Sequence, residues 1–204
     1  MKWRMLWRAV QSARAGRIGD AAALKGAATG GRAYPELDAK LELLEEPFPS
    51  IDLDALRRFP EGTFGREYAR FMDDQRLKPF IVSREVAEEL ARTSRLEVRY
   101  PLLHDAFHVL LGFDTSLVGE LGVWSFVSAQ HYSPDYDRAA RWGRRLYPLV
   151  RPGQGAALRE ASARGEALAR RARCLIAEPL EQLFTLPLPE ARNRLGIALE
   201  ERGP

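Results

Sequence analysis

The chain has 204 residues, 46% of them hydrophobic and 29% charged, a balance that suits one soluble globular domain with room for a sizeable core. Its single cysteine, Cys174, excludes an internal disulfide framework, a cysteine-rich zinc site and an iron–sulfur cluster held by this chain's thiolates alone. The net charge of +3 hides an asymmetry, because Lys2, Arg4, Arg8, Arg14, Arg17, Lys25 and Arg32 stand against Asp20 alone in the first 32 residues.

Those residues, 1–32, read as a basic amphipathic N-terminal segment, and 33–204 as an all-helical domain. Trp3, Leu6, Trp7 and Val10 recur at helical spacing beside Arg4 and Arg8, the pattern of a helix lying in a membrane interface. A helix docked on the core and an arginine-rich targeting segment share that pattern. Nucleic acid is not an expected partner, since the basic residues stop at this segment.

Gly26 to Gly31 reads as a linker of small residues. Pro35 then opens a segment carrying Leu37, Leu41 and Leu44 that ends near Pro47. Ser50 is expected to cap a stretch reaching Phe59, stopped by Pro60. After the Gly62-Thr63 turn comes a helix with Tyr68, Phe71 and Met72 inward, and Ser83 begins another with Val86 and Leu90 inward.

Pro101 suits the first position of the next helix, where its missing N–H costs nothing. That helix reaches Leu111 and Gly112 marks its end; Asp114 or Thr115 can cap a second helix, which runs from Ser116 to about Ala129. Gly119 and Gly122 within it permit close approach of another backbone or a ligand. Residues 156–172, rich in Ala, Arg and Glu, read as a mostly solvated helix, and a last helix runs from Pro189 through Leu199. No stretch qualifies as a transmembrane helix, because Val109 to Ala129 is broken by the turn and carries Glu120.

The chemistry concentrates in His104 to Glu120. His104 and His108, four apart, share one helical face, and Asp105 falls within the same arc. Glu120 lies about as far after the turn as His108 lies before it, so an antiparallel pair of helices brings them together. A carboxylate set among Leu117, Val118, Leu121, Val123 and Trp124 needs a partner, and a divalent cation held by His104, Asp105, His108 and Glu120 supplies one. Read blandly, these are core histidines bonded to ordinary acids.

Two rival motifs fit less well. HD-domain phosphohydrolases need a histidine upstream, and none precedes His104. HDAFH is similar to the HExxH of zinc hydrolases with aspartate one methylene shorter than glutamate, which predicts peptide or ester cleavage at a water-open site. His131 reads as a surface residue at a helix end.

On these residues the chain resembles the Coq-four family of ubiquinone (coenzyme Q) biosynthesis proteins, whose hallmark is H-D-x-x-H, eleven residues, then E. His104, Asp105, His108 and Glu120 fit that spacing, while Gly62-Thr63, Gly65 and Tyr68, Arg99-Tyr100, and Glu190 with Arg192 match further family positions. Pro101-Leu102-Leu103 before the motif, and Val123-Trp124-Ser125-Phe126 after it, depart from the family's more charged pattern.

The resemblance implies an all-helical protein peripheral to membranes, with a cavity for a prenyl lipid. It implies removal of the C1 carboxylate of a polyprenyl-hydroxybenzoate, with Asp105 and Glu120 as catalytic residues and zinc as the metal, iron or manganese being alternatives. It equally admits a lipid-binding scaffold that gathers other quinone-biosynthesis enzymes, and a homodimer. The abundance of Ala, Arg and Gly points to a GC-rich bacterial source and so to the cytoplasmic face of an inner membrane. For a eukaryotic source the matrix side of the mitochondrial inner membrane is expected instead.

Overall fold

In the computed structural model, which describes residues 2–29, 32–92 and 95–199, the chain is all-α, and no strand occurs among the described residues. The α-helices are α1 (Lys2–Arg14), α2 (Ile18–Thr29), α3 (Pro35–Glu42), α4 (Leu53–Leu56), α5 (Phe64–Asp74), α6 (Arg84–Ala91), α7 (Arg95–Leu111), α8 (Leu117–Ala129), α9 (Pro134–Val150), α10 (Gly155–Ala169) and α11 (Leu188–Arg194). Short 3-10 turns at Leu175–Ala177 and Leu180–Leu183 lead into α11.

α7 is the axis of the fold, buried along most of its length. On one side Leu103, Phe107 and Leu110 enter the main core with Tyr68 and Met72 of α5 and Phe126 of α8. On the other, Val98 and Leu102 join a smaller cluster with Ala9, Leu24, Val86 and Leu90. The N-terminal helices therefore pack on the domain through α2 and α6. α1 contributes Ala9 to that cluster and packs Met5 against it, while Trp3, Trp7 and Val10 stay 81%, 59% and 44% exposed. Docking and an outward aromatic stripe coexist on one helix.

The expected linker at 26–31 is instead helical through Thr29, with Gly30 and Gly31 outside the described residues. Alanines 21–23, 27 and 28 favour helix, and Gly26 lets the Glu97 side chain approach so closely that a Cβ would meet its Oε2 at 2.6 Å. The helix expected from Ser50 is the single turn of α4, capped by Asp52, whose carboxylate accepts from the Ala55 N–H. Thr63 and Ser83 precede α5 and α6 as expected.

Pro101 does not start the helix that carries His104 and His108, which begins at Arg95 and contains it. An interior proline forfeits one helical bond and costs about 3 kcal/mol in isolation. Here the first turns are held from outside: the fully buried Arg99 donates to the carbonyls of Ile176, Glu46, Pro47 and Glu178 at 2.7–3.2 Å. Tertiary anchoring keeps the helix continuous through the proline.

α10 is not mostly solvated either. Its buried face, with Leu158, Ala161, Ser162 and Gly165, lies along α8. A Cβ on Gly165 would sit 2.2 Å from the Gly122 carbonyl oxygen, and the Ser125 and Ser162 hydroxyls meet at 2.8 Å. Backbones approach this closely only where side chains are absent. α11 ends at Arg194, short of the expected Leu199, at Gly196 with φ +71°.

Candidate metal centre

The site forms where α7 ends and α8 begins. Gly112, at φ +66°, reverses the chain after Leu111, a conformation glycine adopts without a Cβ penalty. Ser116, rather than the expected Asp114 or Thr115, caps α8 by accepting from the Gly119 N–H, and Asp114 braces it by accepting from the Ser116 N–H and hydroxyl. Gly119 and Gly122 admit the turn itself: added Cβ atoms would collide with the Asp114 carbonyl and the Phe113 ring.

The last carbonyls of α7, which have no partner within the helix, are bound by two guanidinium groups. Arg192 donates to Val109 and Leu110, and Arg164 to Leu111 and Gly112. Arg164 also lies over the Phe113 ring, 4.4 Å from its centroid. The turn that sets Glu120 against α7 is thus fixed from α10 and α11.

His104, His108 and Glu120 converge. His104 Nε2 is 3.5 Å from Glu120 Oε2, His108 Nε2 is 3.4 Å from Glu120 Oε1, and one ligand atom from each residue lies within 4.8 Å of the others. Donor atoms around a tetrahedral zinc, with bonds near 2.05 Å, sit about 3.4 Å apart. The fit has a second support: the fully buried His108 Nε2 has no hydrogen-bond partner. Its Nδ1 faces the Phe113 carbonyl at 3.3 Å and can donate there, while Nε2 points at Glu120.

Asp105, expected as a fourth ligand, lies outside this group. Its Oδ1 is 3.4 Å from His104 Nδ1, whereas the Nε2 of that ring faces Glu120. There it orients the imidazole and fixes its tautomer. In an HExxH-type hydrolase the middle acid faces the ion; here it faces away. His131 is exposed, beside Asp137, and takes no part.

Burial alone would lower the His104 pKa, but hydrogen bonds to Asp105 and Glu120 outweigh it and hold the imidazole at about 9. Burial likewise pushes Glu120 up, and the two histidines bring it down to about 2.

Aromatic rings wall the inner side: Phe71 stacks on His108 at 5.8 Å, and Tyr100 meets His104 edge-on at 5.5 Å. Burial, with the Glu120 and Asp105 carboxylates adding to it, raises the Tyr100 phenol far above its ordinary range, and burial followed by Asp105 does the same for Tyr68. Both tyrosines remain proton donors at neutral pH. Sequence reasoning placed neither at the site; the i, i+4 spacing of Tyr100 and His104 was the available signal. The centre opens outward past His104 and Glu120, whose side chains are 22% and 33% exposed. One turn on, Trp124 is also partly open to solvent.

The family model described as "Coenzyme Q (ubiquinone) biosynthesis protein Coq4" matches residues 8–200. The mitochondrial ubiquinone biosynthesis protein COQ4 homolog of Danio rerio is 31% identical over 161 residues, covering 76% of this chain and 58% of that protein. The Bos taurus homolog is 31% identical over 157 residues, covering 72% and 55%. The chain thus spans a little over half the length of these curated relatives. A crystal structure from Nostoc punctiforme, assigned to ubiquinone biosynthesis, superposes with a TM-score of 0.63 at 27% identity over 97% of this chain and 95% of that one.

Proposed function

Because the chain belongs to the Coq4 family of coenzyme Q (ubiquinone) biosynthesis proteins, we propose that it removes the C1 carboxylate of a polyprenyl-hydroxybenzoate with the aid of a divalent metal, at a membrane surface. The observation that carries this reading is the orphaned, fully buried Nε2 of His108 converging with His104 and Glu120. Three protein ligands leave a further coordination position, as catalytic rather than structural zinc sites do. Zinc suits the two imidazoles and one carboxylate, and iron or manganese is the alternative. When bound, the cation supplies Lewis acidity to the carboxylate or phenolic oxygen of the substrate.

The protein's own groups supply the rest. His104, His108 and Glu120 would hold the ion; Asp105 holds His104 through Nδ1 and, with the partly exposed Glu120, is proposed to relay from solvent the proton that replaces CO2 on the ring. Phe71 and the buried wall behind it exclude water from the inner side, and Trp124 offers apolar surface to the prenyl chain.

Among the described residues no helix is long and apolar enough to cross a membrane. Contact with the bilayer is proposed through the exposed Trp3, Trp7 and Val10 of α1, flanked by Arg4 and Arg14, which gives residues 1–32 a role distinct from 33–204. A second reading is a prenyl-lipid-binding scaffold for other quinone-biosynthesis enzymes. It is favoured by one observation, that the candidate ligands tie the end of α7 to the start of α8, as a structural ion does.

Turnover decides. Zinc-loaded protein given a detergent-dispersed prenyl-hydroxybenzoate is expected to release CO2, and Glu120→Ala to abolish release while the chain stays folded. Lipid binding without CO2 release rejects the enzyme reading in favour of the scaffold.

A further inference from the structure

The metal centre leaves the outer face of α9 unexplained. Trp142, Leu146, Leu149 and Val150 are 58%, 46%, 76% and 69% exposed, while Ala140 on the opposite face and Gly143 on the flank toward α8 are buried. At 100° per residue the first three fall within about 60° of one another, a continuous apolar stripe on solvent.

The charges beside the stripe have one sign. Arg141, Arg145 and Arg151 are exposed, and none has a carboxylate partner among the described residues; Arg141 reaches only the backbone carbonyl of Asp137. The acids of α9 are already engaged: Asp135 pairs with Arg138, and Asp137 accepts from the Tyr34 and Ser128 hydroxyls. Arg144 turns away to Glu166. A second copy of the chain seated here would bring arginines against arginines with no free acid on the helix to answer them.

We propose that α9, from Trp142 to Val150, is a docking element for an anionic lipid surface, the stripe lying among the acyl chains and Arg141, Arg145 and Arg151 reaching the phosphates. Tryptophan favours the headgroup boundary, and arginine extends an apolar stem with its charge held toward water. This deepens the membrane reading above, but it rests on a different helix from α1.

Position adds to the case. α9 runs antiparallel to α8, since Asp137 bonds Ser128 at one end and Gly143 abuts Leu121 at the other. Leu149 lies about 9 Å beyond Gly143 along the helix, level with the start of α8. The stripe is therefore at the same end of α8 as Glu120.

The test is co-sedimentation of the full zinc-loaded chain with vesicles of phosphatidylcholine alone and with a quarter phosphatidylglycerol. Wild type is expected to bind the anionic vesicles. The double variant Trp142→Glu, Leu149→Glu is expected to bind them at least tenfold more weakly, with zinc content and melting temperature unchanged. Arg141→Gln, Arg145→Gln, Arg151→Gln is expected to weaken binding and flatten its salt dependence, and Trp3→Glu, Trp7→Glu to leave a residual binding that the α9 variants remove. Wild-type affinity in the α9 variants overturns the proposal. So does a wild-type dimer that the Trp142→Glu, Leu149→Glu change converts to monomer without loss of vesicle binding. Absence of CO2 release from the wild type in detergent rejects the catalytic reading and leaves this result standing.

Discussion

His108 Nδ1 lies 3.3 Å from the carbonyl oxygen of Phe113, five residues on and across the turn at Gly112. This contact couples the buried imidazole to the backbone that delivers Glu120, so the conformation of the turn and the direction in which Nε2 points are set together.

Gly112→Ala should therefore disturb both. Its φ of +66° disfavours a side chain, and an added Cβ would stand 3.1 Å from Arg164 Nη2 and from Leu199 Cδ1. The expected loss is about 1–2 kcal/mol in stability and roughly tenfold in zinc affinity, read by thermal unfolding and by competition with a chelating dye. Unchanged zinc affinity in a destabilised variant would sever the turn from the ligand.

Asp105→Ala separates orientation from ligation. As the carboxylate behind His104 Nδ1, its loss should weaken zinc binding by about 10–100-fold yet leave one ion per chain at saturating metal. A chain that no longer binds stoichiometric zinc would make Asp105 a ligand after all.

Glu97 gives the stability of the protein a pH dependence. It is 4% exposed, its Oε1 lacks a hydrogen-bond partner, and burial raises its pKa to about 7 from 4.5. Between those values the unfolded chain has released the proton and the folded chain still holds it, so stability falls as pH rises through that window, by roughly 3 kcal/mol in all. Glu97→Gln should remove this slope. Urea unfolding at a series of pH values checks it, and a wild-type-minus-variant difference that stays constant from pH 4.5 to 7 contradicts it.

Arg99→Lys should not be tolerated as a conservative change. A point-charge ammonium cannot reach the four carbonyls that the guanidinium fork spans, and the carbonyls left buried and unpaired should cost about 2–4 kcal/mol. Chemical denaturation measures this; a loss below about 1 kcal/mol would show that the surrounding loops reclose.

Helical character, the turn at Gly112 and the meeting of His104, His108 and Glu120 were legible because each follows from spacing along one or two helices. The role of Asp105 was not, since position within an arc does not say which nitrogen of a neighbouring ring a carboxylate faces. Pro101 misled because the propensity of an isolated helix carries no information about Arg99, whose partners lie about 50 and 80 residues away in sequence. Gly26 misled for a related reason: a glycine followed by small residues signals a linker and a tight helix–helix contact equally well, and only the Glu97 side chain decides. The outward stripe of α9 was written in the sequence at Trp142, Leu146 and Leu149, but periodicity names an apolar face without saying whether the fold will cover it.

α7 is clamped at both ends, by Arg99 near its start and by Arg164 and Arg192 at its close. A strut fixed in this way keeps its two imidazoles at their stations whether or not an ion is present. Little ordering entropy would then oppose coordination of an ion at the proposed centre, and its exchange would ask for movement only from Glu120, at the rim.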